Sequence, residues 1–114
     1  MSNQMKRIVL HNDTSHQLTK TKLINFLQSN KEYFKYKYGV MRIGLFGSFA
    51  KNKYTSTSDI DLIIMMENEK KNIHNYLAFK KELEHVLKRK VDIGFEHTIK
   101  KSVKDEILKD IIYV

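Results

Sequence analysis

The stretch from Ile60 to Met66 is the strongest strand signal in the chain, because it is rich in isoleucine and apolar apart from Asp61. Two shorter apolar runs, Met41 to Phe46 and Val91 to Phe95, are also typical of strands. Amphipathic stretches lie before, between and after these runs, so strands and helices alternate along the chain. That order predicts a sheet covered by helices.

The first helical stretch has clear boundary signals. Thr14 and Gln17 have capping-box spacing and predict a helix start. A second capping-box pattern beginning at Ser29 predicts a break near Asn30, and Gly39 is a natural C-terminal stop.

Two further helices are predicted after the central strand. One runs from Asn72 to Lys88, with its apolar side chains on one face. The other opens at Thr98 or Ser102. The tail from Ile111 to Val114 is unusually apolar, so we expect it to pack on the domain or to pair with a partner.

The length and composition narrow the class of protein. The 114 residues allow one domain, 1–114, in which residues 1–13 form a poorly defined N-terminal segment, a short strand or a loose arm. The chain has no cysteine, which excludes disulfides and thiolate metal sites. The longest clean apolar run, Leu62 to Met66, is far shorter than the ~20 residues of a spanning helix. With no secretory signal visible, a cytoplasmic protein is expected.

The net charge of +8 has two interpretations. It fits a lysine-rich, solvated surface, and it also fits attraction of a polyanion such as nucleic acid or a nucleotide phosphate. Charge alone does not separate them.

The pair Asp59 and Asp61 is the first candidate for chemistry. Strand alternation places both carboxylates on one face, with their Cα atoms about 6.5–7 Å apart. Neighbouring carboxylates repel unless a cation neutralises them, and hard oxygen ligands suit Mg²⁺ or Mn²⁺. Taken alone, the pair is better explained as two solvated acids at a strand end, because an Asp-x-Asp pattern is common.

Two other segments strengthen the metal interpretation. Gly47 and Ser48 follow a strand and precede a short helix, a place where backbone amides and a hydroxyl can bind phosphate. Ten residues separate Ser48 from Asp59, enough for a turn and a loop that returns to the neighbouring strand. Asp92 is a lone acid between apolar residues, and it completes a three-carboxylate cluster if its strand lies beside the strand of Asp61. The alternative is a buried or edge acid paired with Lys90 or Arg89, which are close in sequence.

This combination resembles the nucleotidyltransferase superfamily that includes DNA polymerase β. It is most similar to the minimal nucleotidyltransferase family, the antitoxin half of HEPN/minimal nucleotidyltransferase toxin–antitoxin pairs. Three segments carry the resemblance: the strand-to-helix signature Leu45–Ala50, the metal-binding strand Ser58–Leu62 and the third-carboxylate strand Val91–Ile93.

The resemblance implies an α+β (α/β) fold, a small mixed sheet flanked by helices like the polymerase β palm. It implies a metal-dependent enzyme that uses ATP and two Mg²⁺ ions, with Mn²⁺ as an alternative. Asp59 and Asp61 would bridge the metals, and Asp92 would bind the metal that activates the attacking hydroxyl. The nucleotide-binding residues implied are Gly47, Ser48, Lys51 and Ser58.

One departure from the family concerns the nucleotide site. Arginine and glycine usually follow the alanine of the signature, whereas Lys51 and Asn52 stand here. Lysine keeps the positive charge but loses the planar two-pronged contact to phosphate. Asn52 tolerates left-handed backbone better than most residues.

Three functions remain open from the sequence. In the first, members of the family transfer AMP from ATP to a tyrosine of the partner HEPN ribonuclease toxin, so a complex with a toxin is expected. In the second, the chain neutralises the toxin by binding alone. The third, nucleic-acid binding through the basic flanks, ranks last because no specific reader motif accompanies the charge.

Overall fold

The computed structural model describes residues 17–114 and has the alternating order that the sequence predicts. The strands are β1 Val40–Phe46, β2 Ile60–Met66, β3 Val91–Phe95 and β4 Ile112–Tyr113. The helices are α1 Lys20–Ser29, α2 Lys31–Tyr38, α3 Gly47–Ala50, α4 Ile73–Leu87 and α5 Lys101–Leu108, and two 3₁₀ turns span Asn68–Lys70 and Glu96–Thr98.

The boundaries of the first two helices follow from local hydrogen bonds. α1 begins after Thr19, whose hydroxyl accepts a hydrogen bond from the Lys22 amide at 3.1 Å. The predicted break at Asn30 is confirmed, and the Asn30 side-chain Nδ2 donates to the Phe26 carbonyl at 2.9 Å. The predicted stop at Gly39 is also confirmed, with φ at +77°. The start predicted at Thr14 and the predicted segment 1–13 lie outside the described residues.

The last helix begins later than one of the two predicted starts. Thr98 is in a 3₁₀ turn, and its hydroxyl donates back to the Phe95 carbonyl at 3.0 Å, so it is not available to cap α5. α5 begins at Lys101, which makes the prediction of a start at Thr98 wrong. Ser102 lies in the first turn of the helix.

The four strands form a mixed sheet in the order β3-β2-β1-β4, which confirms the predicted fold class. β1 is antiparallel to both β2 and β4, whereas β2 and β3 are parallel. The apolar tail packs as predicted: Ile112 pairs with Leu45, and the amide of buried Val114 donates to the Ile43 carbonyl.

One face of the sheet forms the main core with the helices. Alternate residues of β1 and β2 are buried there, and the Phe34 and Phe79 rings of α2 and α4 meet edge to face at 5.1 Å. Glu82 of α4 accepts hydrogen bonds from the hydroxyls of Tyr33 and Tyr38 and so joins α4 to α2. Burial, with the nearby Glu82 carboxylate, raises the pKa of Tyr38.

The outer side of β3 is covered by side chains of α4. The Val91 amide donates to the Glu84 carboxylate at 2.9 Å, and the Tyr76 hydroxyl donates to the Ile93 carbonyl at 3.2 Å. Two outward-facing backbone groups of the edge strand are thereby satisfied. Among the helices of residues 17–114, none is both long and apolar enough to cross a membrane.

Candidate active site

The register of the sheet brings Asp61 and Asp92 side by side. Asp61 of β2 pairs with Asp92 of β3 in parallel register, and Phe46 of β1 is its partner on the other side. Neighbouring strands are about 4.8 Å apart, so the two acids are immediate neighbours on one face. Asp59 precedes β2 and lies two residues before Asp61. The three acids named from the sequence, Asp59, Asp61 and Asp92, are called the carboxylate cluster below.

Burial and the neighbouring negative charges both raise the pKa of Asp61. Burial is the largest cause that raises its pKa, and the negative charges of Asp92 and then Asp59 raise it further. The repulsion between neighbouring carboxylates, which raises the Asp61 pKa, also favours binding of a cation, because the cation neutralises their charge.

Gly47 lies directly against the carboxylate cluster. It begins α3 with φ at +75°, in the left-handed region that favours glycine. A Cβ at this position would overlap the Asp61 Oδ2 atom. The strand-to-helix turn therefore needs glycine for its backbone angle and for its contact with the acid.

Lys90 lies between two acids of the carboxylate cluster. Its Nζ atom is 4.0 Å from Asp59 Oδ2 and 4.0 Å from Asp92 Oδ1. The side chains of Lys90, Asp59 and Asp92 are 64%, 43% and 51% exposed, so all three have room to turn.

The remaining predicted nucleotide-binding residues surround the turn and the loop that follows it. Ser48 is the second residue of α3, and its carbonyl accepts from the Lys53 amide at 2.9 Å. Lys51 directly follows α3 as its C-terminal cap, and its Nζ atom lies 3.9 Å from Asp110 Oδ2. Asn52 has φ at +59°, which explains an asparagine there.

Ser58 lies at the end of that loop, next to the carboxylate cluster. Its hydroxyl accepts a hydrogen bond from the Thr55 amide at 2.8 Å. In this arrangement Ser58 stabilises the loop.

Comparison with known proteins identifies the family. The family model described as nucleotidyltransferase domain matches residues 23–114. The chain belongs to the nucleotidyltransferase domain family.

Curated relatives resemble this nucleotidyltransferase domain over most of their length. A predicted protein adenylyltransferase of Methanocaldococcus jannaschii is 37% identical over 98 residues, which cover 84% of this chain and 98% of the relative. The protein adenylyltransferase MntA of Thermococcus cleftensis is 26% identical over 97 residues, which cover 85% of this chain and 97% of the relative.

Solved structures share the fold of this nucleotidyltransferase domain. A minimal nucleotidyltransferase superposes with a TM-score of 0.71 at 23% identity, over 86% of this chain and 98% of that one. The crystal structure of a toxin–antitoxin with AMP-PNP gives a TM-score of 0.59 at 19% identity, over 84% and 72% of the two chains. At these low sequence identities, both structures show similarity of fold only.

The donor set of this nucleotidyltransferase domain fits a hard divalent cation. All three members of the carboxylate cluster offer oxygen ligands, which suit Mg²⁺ or Mn²⁺. Within residues 17–114, no three acidic or histidine side chains are already gathered around one metal position. Asp59 and Asp92 each lie 4.0 Å from the Lys90 ammonium instead.

Arg89, which the sequence suggests only as an alternative partner of Asp92, organises the loop beside the site. Its Nη1 atom donates to the Thr55 and Ser58 carbonyls at 3.1 and 3.0 Å. Its guanidinium lies 5.3 Å from the centre of the Phe49 ring, which stacks on Tyr54 at 4.3 Å. The available signal was the basic pair directly before the strand of Asp92.

Proposed function

We propose that this nucleotidyltransferase domain, a single minimal domain over residues 1–114, transfers AMP from ATP to a tyrosine hydroxyl of a partner HEPN-type ribonuclease toxin. By this reaction it acts as an antitoxin in the cytoplasm. The observation that carries the proposal is the parallel register of Asp61 with Asp92 beside the left-handed turn at Gly47. The protein adenylyltransferase names of the relatives and the toxin–antitoxin neighbour support the acceptor class.

The carboxylate cluster would hold two Mg²⁺ ions, or Mn²⁺. When bound, such ions neutralise phosphate charge and make a hydroxyl a better nucleophile. Asp59, Asp61 and Asp92 would hold these ions, and Asp92 would also help to remove the proton of the attacking hydroxyl.

The turn at Gly47 and Ser48 would bind the β- and γ-phosphates. Because Gly47 has no Cβ, its backbone can approach a phosphate closely. Lys51 would add a positive charge, since its pairing with Asp110 at 3.9 Å is half-exposed and weak. In the reaction, the tyrosine oxygen forms a bond to the α-phosphorus of ATP. The bond between the α-phosphorus and the oxygen that bridges it to the β-phosphate breaks, and pyrophosphate leaves.

The test is transfer of labelled AMP to a HEPN-type toxin supplied as the partner. Wild-type protein, the toxin and Mg²⁺ with α-labelled ATP should give a labelled toxin. The variant Asp59→Asn with Asp61→Asn should give none. A matched control, Glu69→Gln with Asp105→Asn, removes two exposed carboxylates elsewhere and should label normally.

Two results would contradict the proposal. An unlabelled toxin beside folded wild-type protein would exclude AMP transfer to it. If Asp59→Asn with Asp61→Asn keeps its fold and still silences the toxin fully, binding alone accounts for neutralisation.

A further inference from the structure

The backbone of Lys90 is held firmly while its side chain is not. The Ile60 amide donates to the Lys90 carbonyl at 2.9 Å, which fixes this residue where β2 and β3 begin. The ammonium is mostly exposed and reaches Asp59 and Asp92 only at the 4.0 Å limit of an ion pair. Exposed ion pairs at this distance contribute little to folding stability, so Lys90 does little to stabilise the fold through Asp59 and Asp92.

The position of this ammonium bears directly on metal binding. A divalent ion needs the same carboxylate oxygens at about 2.0–2.1 Å, and a lysine ammonium cannot stay beside them because the two cations repel. The lysine side chain is long and flexible, so it can leave while its backbone stays in place. The anions that it would then meet are those of a bound nucleotide.

We infer that Lys90 is a built-in substitute cation. It neutralises Asp59 and Asp92 before metal binds, gives way when the metal arrives, and then contacts the phosphates of the nucleotide. The inference rests on the proposed function and adds a positioning residue to it.

The first test is Mn²⁺ binding without nucleotide, measured by titration calorimetry and by the loss of the free-ion paramagnetic resonance signal. Lys90→Met should bind Mn²⁺ about fivefold more tightly than wild type, because a competing charge is gone. Lys90→Arg keeps the charge and should match wild type. The control Lys81→Met removes one positive charge from an exposed position of α4 and should also match wild type.

The second test is binding of an α,β-methylene ATP analogue at saturating Mn²⁺. Lys90→Met should bind the analogue about fivefold more weakly, since a contact to phosphate is lost. Lys90→Arg and Lys81→Met should bind it as wild type does. Opposite changes in the two affinities are a signature that a merely structural lysine would not give.

Either of two results overturns the inference. One is unchanged or weaker Mn²⁺ binding by Lys90→Met, and the other is unchanged or tighter binding of the analogue. If wild type binds Mn²⁺ and labels the toxin, such a result removes the role of Lys90 alone. If wild type binds Mn²⁺ neither alone nor with the analogue, the proposed metal-dependent reaction fails with it.

Discussion

Gly47→Ala is expected to lower the free energy of unfolding by about 2–5 kcal/mol, for two separate reasons. An L-residue in the left-handed region costs about 1–2 kcal/mol. The new Cβ would also overlap Asp61 Oδ2 and lie 2.9 Å from Asp61 Cγ. Relieving such overpacking costs about 1–3 kcal/mol. Urea unfolding followed by circular dichroism would measure the sum.

A double-mutant cycle with Asp61→Ala separates the two causes. This change removes Oδ2 and Cγ, the two atoms nearest the added carbon, and leaves Asp61 Cβ at 3.1 Å, so Gly47→Ala should then cost about 1–2 kcal/mol. The control is Gly94→Ala, because a Cβ there meets no atom within 4 Å, and we expect a change of less than about 1 kcal/mol. An equal cost of Gly47→Ala with and without the Asp61 carboxylate would refute the packing argument.

Four further predictions follow from contacts in the structure. Because the fold raises the pKa of Asp61, ionisation of this carboxyl destabilises the folded state. Wild type should therefore lose stability relative to Asp61→Asn as pH rises above about 4. If the difference between their free energies of unfolding in urea stays constant across pH 4–7, this prediction is wrong. Arg89→Met should speed proteolysis within residues 51–59, because two hydrogen bonds to that loop are lost, and an unchanged cleavage rate would contradict this. Tyr38→Phe should lower the free energy of unfolding by about 1 kcal/mol, whereas a change below about 0.3 kcal/mol would argue against its hydrogen bond. MnCl₂ should raise the melting temperature of wild type, EDTA should reverse the rise, and Asp59→Asn with Asp92→Asn should show none.

The strands that carry the site could be predicted because their apolar runs have sharp ends. Ile60–Met66 and Val91–Phe95 match the structure residue for residue. The sequence does not establish whether these two strands are neighbours. In the structure they pair in parallel. Alternation along a strand then fixes which face each acid occupies.

Long-range partners could not be predicted in this way. Arg89 bonds to carbonyls 31 and 34 residues earlier, and hydrophobic periodicity indicates faces rather than partners. The two-residue strand β4 is too short for any periodic signal, although the apolar tail that contains it was noticed. The side-chain direction of Lys90 depends on rotamers, which a strand pattern does not determine.

The covering of β3 by α4 bears on how this domain can meet another protein. An edge strand with free backbone groups invites addition of a further strand from a second chain. Here the Glu84 carboxylate and the Tyr76 hydroxyl already use the Val91 amide and the Ile93 carbonyl. Growth of the sheet past β3 would first have to break both bonds, so a protein that approaches the acids from this side must be recognised by its shape and its side chains.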